Sequence, residues 1–177
     1  MSTLQALLAD PATAGVWNLV PARSSVRFKN KTLWGLVPVN GEFTDVSGDG
    51  QITAKGAVFG RVDVRAASVR TGIGKRDEHL RSPDFFDVER YPEISIVVTD
   101  VTATGERTAD LRAELTVRGT TQPLPLSATV DHDGDTVRIS AQTTVDRTAF
   151  GVSGNMAGMM PPTTTLLVDT VFVKAAH

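Results

Sequence analysis

The sequence contains no cysteine, which excludes both a disulfide framework and a thiolate metal site. No apolar run approaches the roughly 18 residues that a membrane-spanning helix needs. The net charge is only -2 at pH 7 and no basic face stands out, so we expect no nucleic-acid partner. Residues 1–10 lack the basic start and the continuous apolar stretch of a signal peptide, and we therefore expect a cytoplasmic protein.

Aromatic residues are also scarce, at 6% of the chain, which predicts an interior built mostly from valine, leucine, isoleucine and alanine. The length of 177 residues favours one domain with a sizeable core. We set residues 1–15 apart as an N-terminal segment, in which 3–9 predict one or two helical turns. Residues 16–177 form the single predicted domain.

Alternation of apolar and polar residues is the main feature that the sequence does contain. Between 58 and 66, every second residue is apolar or glycine, and this period of two predicts a strand with one buried and one wet face. Similar patterns predict roughly eight to ten strands, at the spacing of an antiparallel barrel or of a sandwich. The predicted strands cover residues 17–20, 24–29, 33–43, 46–53, 58–70, 94–103, 110–118, 124–131, 136–145 and 163–174.

Residues 68–87 interrupt the strand pattern. They predict one short polar helix at about 74–82, which Pro83 ends because a proline forces the residue before it out of the helical conformation. Within this helix, His79 and Asp77 could act as an acid–base pair, and Arg76 and Asp77 could form an ion pair. We favour a solvated helix face and a structural ion pair, because charged residues on helices lie mostly at the surface.

No catalytic or metal-binding pattern is specific. The stretch 151–154, Gly-Val-Ser-Gly, does not match the Gly-x-Ser-x-Gly motif of serine hydrolases. The acidic stretch 131–135 lacks the glycine spacing and the distal glutamate of a calcium loop, and its Asp133-Gly134 pair predicts a plain hairpin turn. We therefore expect neither an enzyme nor a metal protein.

A series of short motifs runs through most of the chain, from about residue 16 to 174. They are Trp17 with Ser25, Val26 and Phe28; Gly41-Glu42-Phe43 with Gly48; Ser68-Val69, Thr71-Gly72, Arg76-Asp77, Leu80, Asp84-Phe85-Phe86-Asp87 and Tyr91-Pro92; Leu115-Thr116-Val117, Gly119-Thr120-Thr121 and Pro123; and Asp146-Arg147 with Phe150-Gly151. On these residues the chain resembles the YceI-like family, polyisoprenoid-binding proteins with a lipocalin-like barrel. The central group of motifs, 68–92, is the most specific.

The resemblance implies an all-β fold, an extended antiparallel lipocalin-like β-barrel of about eight strands with one short helix in a crossover. It also implies non-catalytic binding, storage or transport of a long-chain isoprenoid or similar amphiphilic lipid in the barrel interior. The bound molecule could be an isoprenoid quinone or a polyprenyl lipid, and no other cofactor is expected.

Two groups of residues are candidates for contact with such a ligand. We predict that ten inward-facing residues line a tunnel: Phe28, Val62, Val64, Ile96, Val98, Leu115, Val117, Leu126, Val137 and Ile139. The candidates for the entrance or the lipid head group are Arg76, His79 and Arg81 in the helix, and Met156, Met159 and Met160 in a loop rich in glycine and proline. Methionine suits adaptable apolar surfaces, but a loop that simply packs onto the core explains the same pattern.

Two other functions stay open. One is an interaction or stress-response module whose barrel is filled by its own side chains and holds no lipid. The other, which we rank last, is an enzyme that acts on an amphiphile through His79 and Asp77. We also expect a homodimer, because long edge strands seek partners, and a transient contact with a membrane surface.

Overall fold

The computed structural model describes residues 3–32, 37–152 and 162–175. Within these ranges, neither of the two α-helices is long and apolar enough to cross a membrane. The helices are α1 (Thr3–Ala9) and α2 (Gly74–Arg81). The strands are β1 (Gly15–Leu19), β2 (Ser25–Thr32), β3 (Val37–Phe43), β4 (Val46–Ile52), β5 (Val58–Arg65), β6 (Val69–Arg70), β7 (Glu93–Ala103), β8 (Thr108–Val117), β9 (Thr120–Pro123), β10 (Leu126–Asp133), β11 (Thr136–Asp146) and β12 (Thr163–Lys174).

Eight strands close into an antiparallel barrel in the order β1-β4-β5-β7-β8-β10-β11-β12, and β12 pairs back to β1. The predicted all-β barrel with one short helix in a crossover is therefore confirmed, and the pairing of β12 with β1 excludes the sandwich. The structure divides the predicted strand 58–70 into β5 and β6, and adds the short strand β9 beside β8.

Short breaks between successive strands bend the sheet in the first part of the chain, from β1 to β6. Residues 165–169 of β12 pair with β2, and residues 172–174 of the same strand pair with β1. The chain turns at Pro21 between these two partners, where a 3-10 turn spans Pro21–Arg23. Strand β3 continues into β4, and β5 into β6, with similar short breaks. Among the described strands, β6 pairs only with β3. The helix α2 and the turn that follows it continue this wall beyond β6.

The helix α2 ends where the proline predicts. Its last residue is Arg81, and Ser82 takes an extended conformation before Pro83. The chain then folds back on the helix, since the backbone N–H of Phe86 donates to Leu80 O at 2.9 Å and that of Asp87 donates to Ser82 O at 2.9 Å. Residues Leu80 and Phe85 are consequently buried in the core.

Inward and outward positions alternate along most strands, as the sequence pattern predicts. In β8, all five inward positions from Ala109 to Val117 are buried. The pairing of β7 with β8 shifts register between Val98 and Asp100, which is a β-bulge. Because of this bulge, Val98 and Val101 both lie against the core although they are three residues apart.

The buried core is mostly aliphatic, as predicted, but aromatic rings are concentrated at one end of the barrel. The rings of Phe28, Phe43 and Phe86 form a cluster there, with centroids 5.7 to 6.4 Å apart. These rings come from β2, β3 and the turn after α2, so no local sequence window shows that they meet. A low overall aromatic content therefore did not exclude a local concentration of rings.

The helix α1 covers the other end of the barrel. Leu4 and Leu7 are buried in the same hydrophobic core as the strands, and the backbone N–H of Leu4 donates to Glu106 O at 3.1 Å. The indole N–H of Trp17 donates to Thr13 O at 2.9 Å, which fixes the connection between α1 and β1. The N-terminal segment thus packs directly onto the barrel.

We expect Gly41→Ala to lower the free energy of unfolding by about 1–3 kcal/mol, the usual cost of overpacking a core. A Cβ atom at Gly41 would lie 2.2 Å from Cζ of Phe28, so the buried ring would have to move. The matched control is Gly60→Ala, because a Cβ atom there meets nothing closer than 3.6 Å. Urea denaturation of both variants measures the difference, and an equal loss in the two would contradict this account.

Candidate functional site

Two apolar cavities lie inside the described barrel. The first, of about 90 Å³, is walled by phenylalanines 28, 43, 85, 86 and 150, and we call it the phenylalanine cavity. The second, of about 130 Å³, is walled by leucines 4, 7, 8, 111 and 126, and we call it the leucine cavity. Their walls are almost entirely carbon. The α2 end of the barrel covers the first cavity, and α1 covers the second.

The two cavities share one pair of wall residues, which we call the neck. Val62 of β5 and Ile96 of β7 line both of them, and the two residues are directly paired across the strands. The cavities therefore follow one another along the barrel interior, with this pair at the junction. A slender chain that passed the neck would contact both cavities.

Glycine at inward positions helps to create the leucine cavity. Gly50 of β4 and Gly60 of β5 are paired in register and both belong to its wall. Each glycine is two residues from an inward-facing residue of its own strand, Gly50 from Ile52 and Gly60 from Val62. Side chains at these positions would therefore project into the barrel. The hollow is thus partly a property of two residues that have no side chain.

All ten residues predicted as tunnel lining belong to the cavity walls. The phenylalanine cavity contains Phe28, Val64, Leu115 and Val117; the leucine cavity contains Val98, Leu126, Val137 and Ile139; and both contain Val62 and Ile96. Their contact with a ligand stays a prediction.

The helix residues predicted for the entrance are engaged elsewhere. Arg76 donates from Nε to Thr71 Oγ1 at 2.8 Å, and Arg81 donates from Nε to Ala67 O at 2.9 Å. His79 Nε2 lies 3.0 Å from Asp84 Oδ2. None of these three side chains belongs to the wall of either cavity. The other predicted entrance residues, Met156, Met159 and Met160, lie outside the described residues.

Two interpretations of the helix are corrected by these contacts. The hypothetical acid–base pair of His79 with Asp77 is wrong, because residues two apart on a helix do not face each other and His79 meets Asp84 instead. The interpretation of Arg76 and Asp77 as a direct pair is also wrong. Both bind the hydroxyl of Thr71, which donates to Asp77 Oδ1 at 2.5 Å. The buried Asp77 therefore anchors the start of α2.

The structure adds two polar wall residues that the sequence analysis did not select. Asn30 and Arg147 both line the phenylalanine cavity and are only 4% and 7% exposed. Arg147 donates from Nη1 to Val152 O at 2.7 Å, and Asn30 donates from Nδ2 to Thr163 O at 3.2 Å. Burial lowers the pKa of the Arg147 guanidinium, and the neighbouring Asp146 carboxylate offsets only part of that effect.

A sequence signal for these two residues did exist. Asn30 continues the inward series of Val26 and Phe28 in β2, and Arg147 continues the inward parity of Val145 beyond the end of β11. The predicted wall residues were limited to the apolar members of the alternating pattern. A polar residue that keeps the inward parity is therefore the informative exception in this chain.

Arg118 fixes the cover of the phenylalanine cavity. It has a positive φ of 55°, and its Nη1 lies within hydrogen-bonding distance of three carbonyl oxygens: Pro83 O at 2.8 Å, Gly151 O at 2.9 Å and Phe85 O at 3.0 Å. This one guanidinium joins the end of β8 to the turn that carries Phe85. It also joins that turn to the 3-10 segment Arg147–Phe150, which ends at Gly151.

Among the described residues, no group of three or more histidine, aspartate or glutamate side chains is arranged to hold a metal ion. The acidic hairpin at 131–135 is the plain turn that its sequence predicts, with Asp133 paired to Thr136 and Gly134 at a positive φ of 60°. The described site thus consists of apolar walls with a few polar groups.

Comparison with known proteins places these features in a family. A model of the YceI-like domain matches residues 17–173. A UPF0312 protein of Pseudomonas putida strain GB-1 is 38% identical over 99 residues, which are 52% of this chain and 52% of that protein. A UPF0312 protein of Pseudomonas syringae pv. tomato is 32% identical over 142 residues, 76% of this chain and 72% of that protein. The first of these alignments spans about half the length of the relative.

Solved structures show the same fold. BcnA of Burkholderia cenocepacia superposes with a TM-score of 0.79 at 22% identity, covering 86% of this chain and 98% of that chain. A polyisoprenoid binding domain from Saccharophagus degradans superposes with a TM-score of 0.74 at 18% identity, covering 90% of this chain and 98% of that chain. At these identities the likeness concerns the fold.

We expect Arg118→Gly to lower the free energy of unfolding by about 2 kcal/mol, because hydrogen bonds of a charged group contribute roughly 1.5–3 kcal/mol and the glycine relieves only backbone strain. The amides of Phe86 and Asp87 should also exchange with solvent faster, which hydrogen exchange measures residue by residue. The control is Arg107→Ala, which removes an exposed arginine paired with Asp131 near α1. Equal protection of the turn in both variants would refute the role assigned to Arg118.

Proposed function

This chain belongs to the YceI-like domain family, and from that premise we propose that it binds, stores or transports a long-chain isoprenoid or similar amphiphilic lipid in its barrel interior, without catalysis. The observation that carries the proposal is the pair of apolar cavities joined at Val62 and Ile96. A fold neighbour described as a polyisoprenoid binding domain supports the choice of ligand class.

The energetics favour such a ligand without any reactive group. Each methylene moved from water into an apolar site contributes about 0.8 kcal/mol, so ten of them contribute roughly 8 kcal/mol before the costs of ordering the chain. The cavity walls supply the dry surface that this transfer requires. Catalytic residues would add nothing to it.

The size of the cavities favours a slender occupant. An apolar cavity of about 150 Å³ accepts a benzene-sized molecule, and each cavity here is smaller than that. A single hydrocarbon chain matches two small cavities in series better than a fused ring system does. A longer chain requires displacement of the covers, which are Leu4 and Leu7 at one end and Phe85 and Phe86 at the other.

The limited volume also favours the alternative, an interaction or stress-response module without a lipid ligand. The cluster of Phe28, Phe43 and Phe86 fills part of the barrel with the protein's own side chains. The two functions differ in one respect that can be measured. Only the lipid-binding protein loses its activity when the free interior space is filled.

A cytoplasmic location, a homodimer and a transient contact with a membrane surface remain proposals that rest on the sequence. A carrier of this kind would exchange its ligand with a lipid bilayer, and a brief surface contact would shorten the path of the apolar chain through water. Transport rather than storage would require this exchange to be fast.

We expect Gly60→Leu to reduce isoprenoid binding at least tenfold, because the added side chain projects into the leucine cavity and meets no backbone atom closer than 3.6 Å at its Cβ. Native mass spectrometry of the full chain with geranylgeraniol measures the bound fraction. The variant should keep or raise its thermal stability, since it fills apolar space.

The matched control is Thr129→Leu, which adds a leucine at an exposed position on the outward face of β10. It should bind geranylgeraniol as the unaltered protein does. Unchanged binding in Gly60→Leu, or an equal loss in both variants, would exclude the barrel interior as the binding site. Absence of any complex with the unaltered protein would favour the module without a ligand.

A further inference from the structure

We propose that the phenylalanine cavity selects an amphiphile with an anionic head group, a phosphate or a carboxylate, and that Arg147 and Asn30 bind this head. The inference rests on the proposed function, because it concerns the polar end of the same ligand. It assigns the head-group role to a buried pair rather than to the helix residues Arg76, His79 and Arg81.

The two polar residues flank the start of β12 at one end of the barrel, Asn30 on β2 and Arg147 just beyond β11. Asn30 donates to Thr163 O, and the backbone N–H of Arg147 donates to Pro162 O at 2.9 Å. Both residues are therefore anchored on the start of β12. Thr164, the next residue of that strand, is a third polar member of the same cavity wall.

Burial makes the charge of Arg147 significant. The side chain is one of two charged groups among the described residues that line the phenylalanine and leucine cavities, and the other, Arg61, is half exposed and bonded to Asp63 at 2.7 Å. Arg147 is instead 7% exposed in a wall that is otherwise almost entirely apolar. A charge is weakly screened in such surroundings, so it interacts strongly with a ligand that enters the cavity.

The chemistry of the pair determines which head group it favours. A guanidinium carries five N–H donors and no acceptor, and its planar fork matches the oxygens of a carboxylate or phosphate. An amide adds further N–H donors. A cationic head group would be repelled by Arg147, and a neutral alcohol would lack the negative charge that attracts an anion to the guanidinium.

The position of the pair also orients the ligand. From Arg147 and Asn30, the apolar walls of the phenylalanine cavity lead to the neck at Val62 and Ile96, and beyond it to the leucine cavity. The tail of a bound amphiphile would therefore extend towards α1, with its head at the end of the barrel where β11 meets β12.

The test compares two ligands that differ only in the head group. The full chain is mixed with equimolar geranylgeranyl phosphate and geranylgeraniol, and native mass spectrometry measures the ratio of the two complexes. We expect the phosphate to be favoured at least tenfold, which corresponds to about 1.4 kcal/mol and lies within reach of one charge-assisted hydrogen bond. Inorganic phosphate alone, at the same concentration, should not compete, because it gains nothing from the apolar walls.

Substitutions then locate the preference. Arg147→Gln should reduce the ratio to below about threefold, and Arg147→Lys should keep part of the preference because it keeps the charge but loses the planar fork. The control is Arg138→Gln, which removes an outward arginine of β11 that pairs with Asp169. This variant should retain the full preference, which separates a local contact from a loss of overall positive charge.

Four outcomes would overturn the inference. They are equal binding of the two ligands by the unaltered protein, an unchanged ratio in Arg147→Gln, equal losses in Arg147→Gln and Arg138→Gln, and effective competition by inorganic phosphate alone. Binding of geranylgeraniol without preference leaves the proposed function standing and removes only the head-group site, whereas failure to bind either ligand removes both. If Arg147→Gln does not fold, Asn30→Ala decides: it removes the other member of the pair and should lower the ratio, and an unchanged ratio there counts against the site.

Discussion

The structure depends on the pairing of one long strand with two successive partners. Strand β12 binds β2 along its first half and β1 along its end, so a single strand closes the barrel and also supports the extension formed by β2 and β3. Closure matters because it leaves the inward face without an open sheet edge through which water could reach the core. Everything proposed for the interior requires that dryness.

A dry interior is favourable for apolar groups but makes the burial of a charged group costly. The inward glycines Gly50 and Gly60 leave space that the surrounding aliphatic groups do not fill, and this space is favourable for a hydrocarbon chain. The same dryness makes a buried guanidinium, such as that of Arg147, costly unless it is well bonded. The proposed site thus combines apolar space for a tail with a charge that would discriminate between heads.

Much of this architecture could be predicted from the sequence. Period-two alternation located most of the strands, and Pro83 located the end of α2. The inward parity of residues such as Val62, Val98 and Leu126 placed ten of the cavity-wall residues correctly, because the two faces of a strand are determined by local order alone.

The remaining features depend on contacts between distant segments. The ring cluster joins Phe28, Phe43 and Phe86, and the bonds of Arg118 reach residues more than thirty positions away in both directions. The contacts of Arg76 and His79 depend on how α2 begins and ends, which residue type does not reveal. The neck between the cavities likewise follows from the register of β5 with β7.

The most direct test of the central claim is to locate the tail of a bound isoprenoid by NMR, using methyl-labelled protein and intermolecular nuclear Overhauser effects. Our account predicts contacts from the chain protons to the methyl groups of Val62 and Ile96, the two residues that line both cavities. Contacts confined to exposed side chains such as Val16 and Ile73 would contradict it, because they would place the lipid on the outer surface.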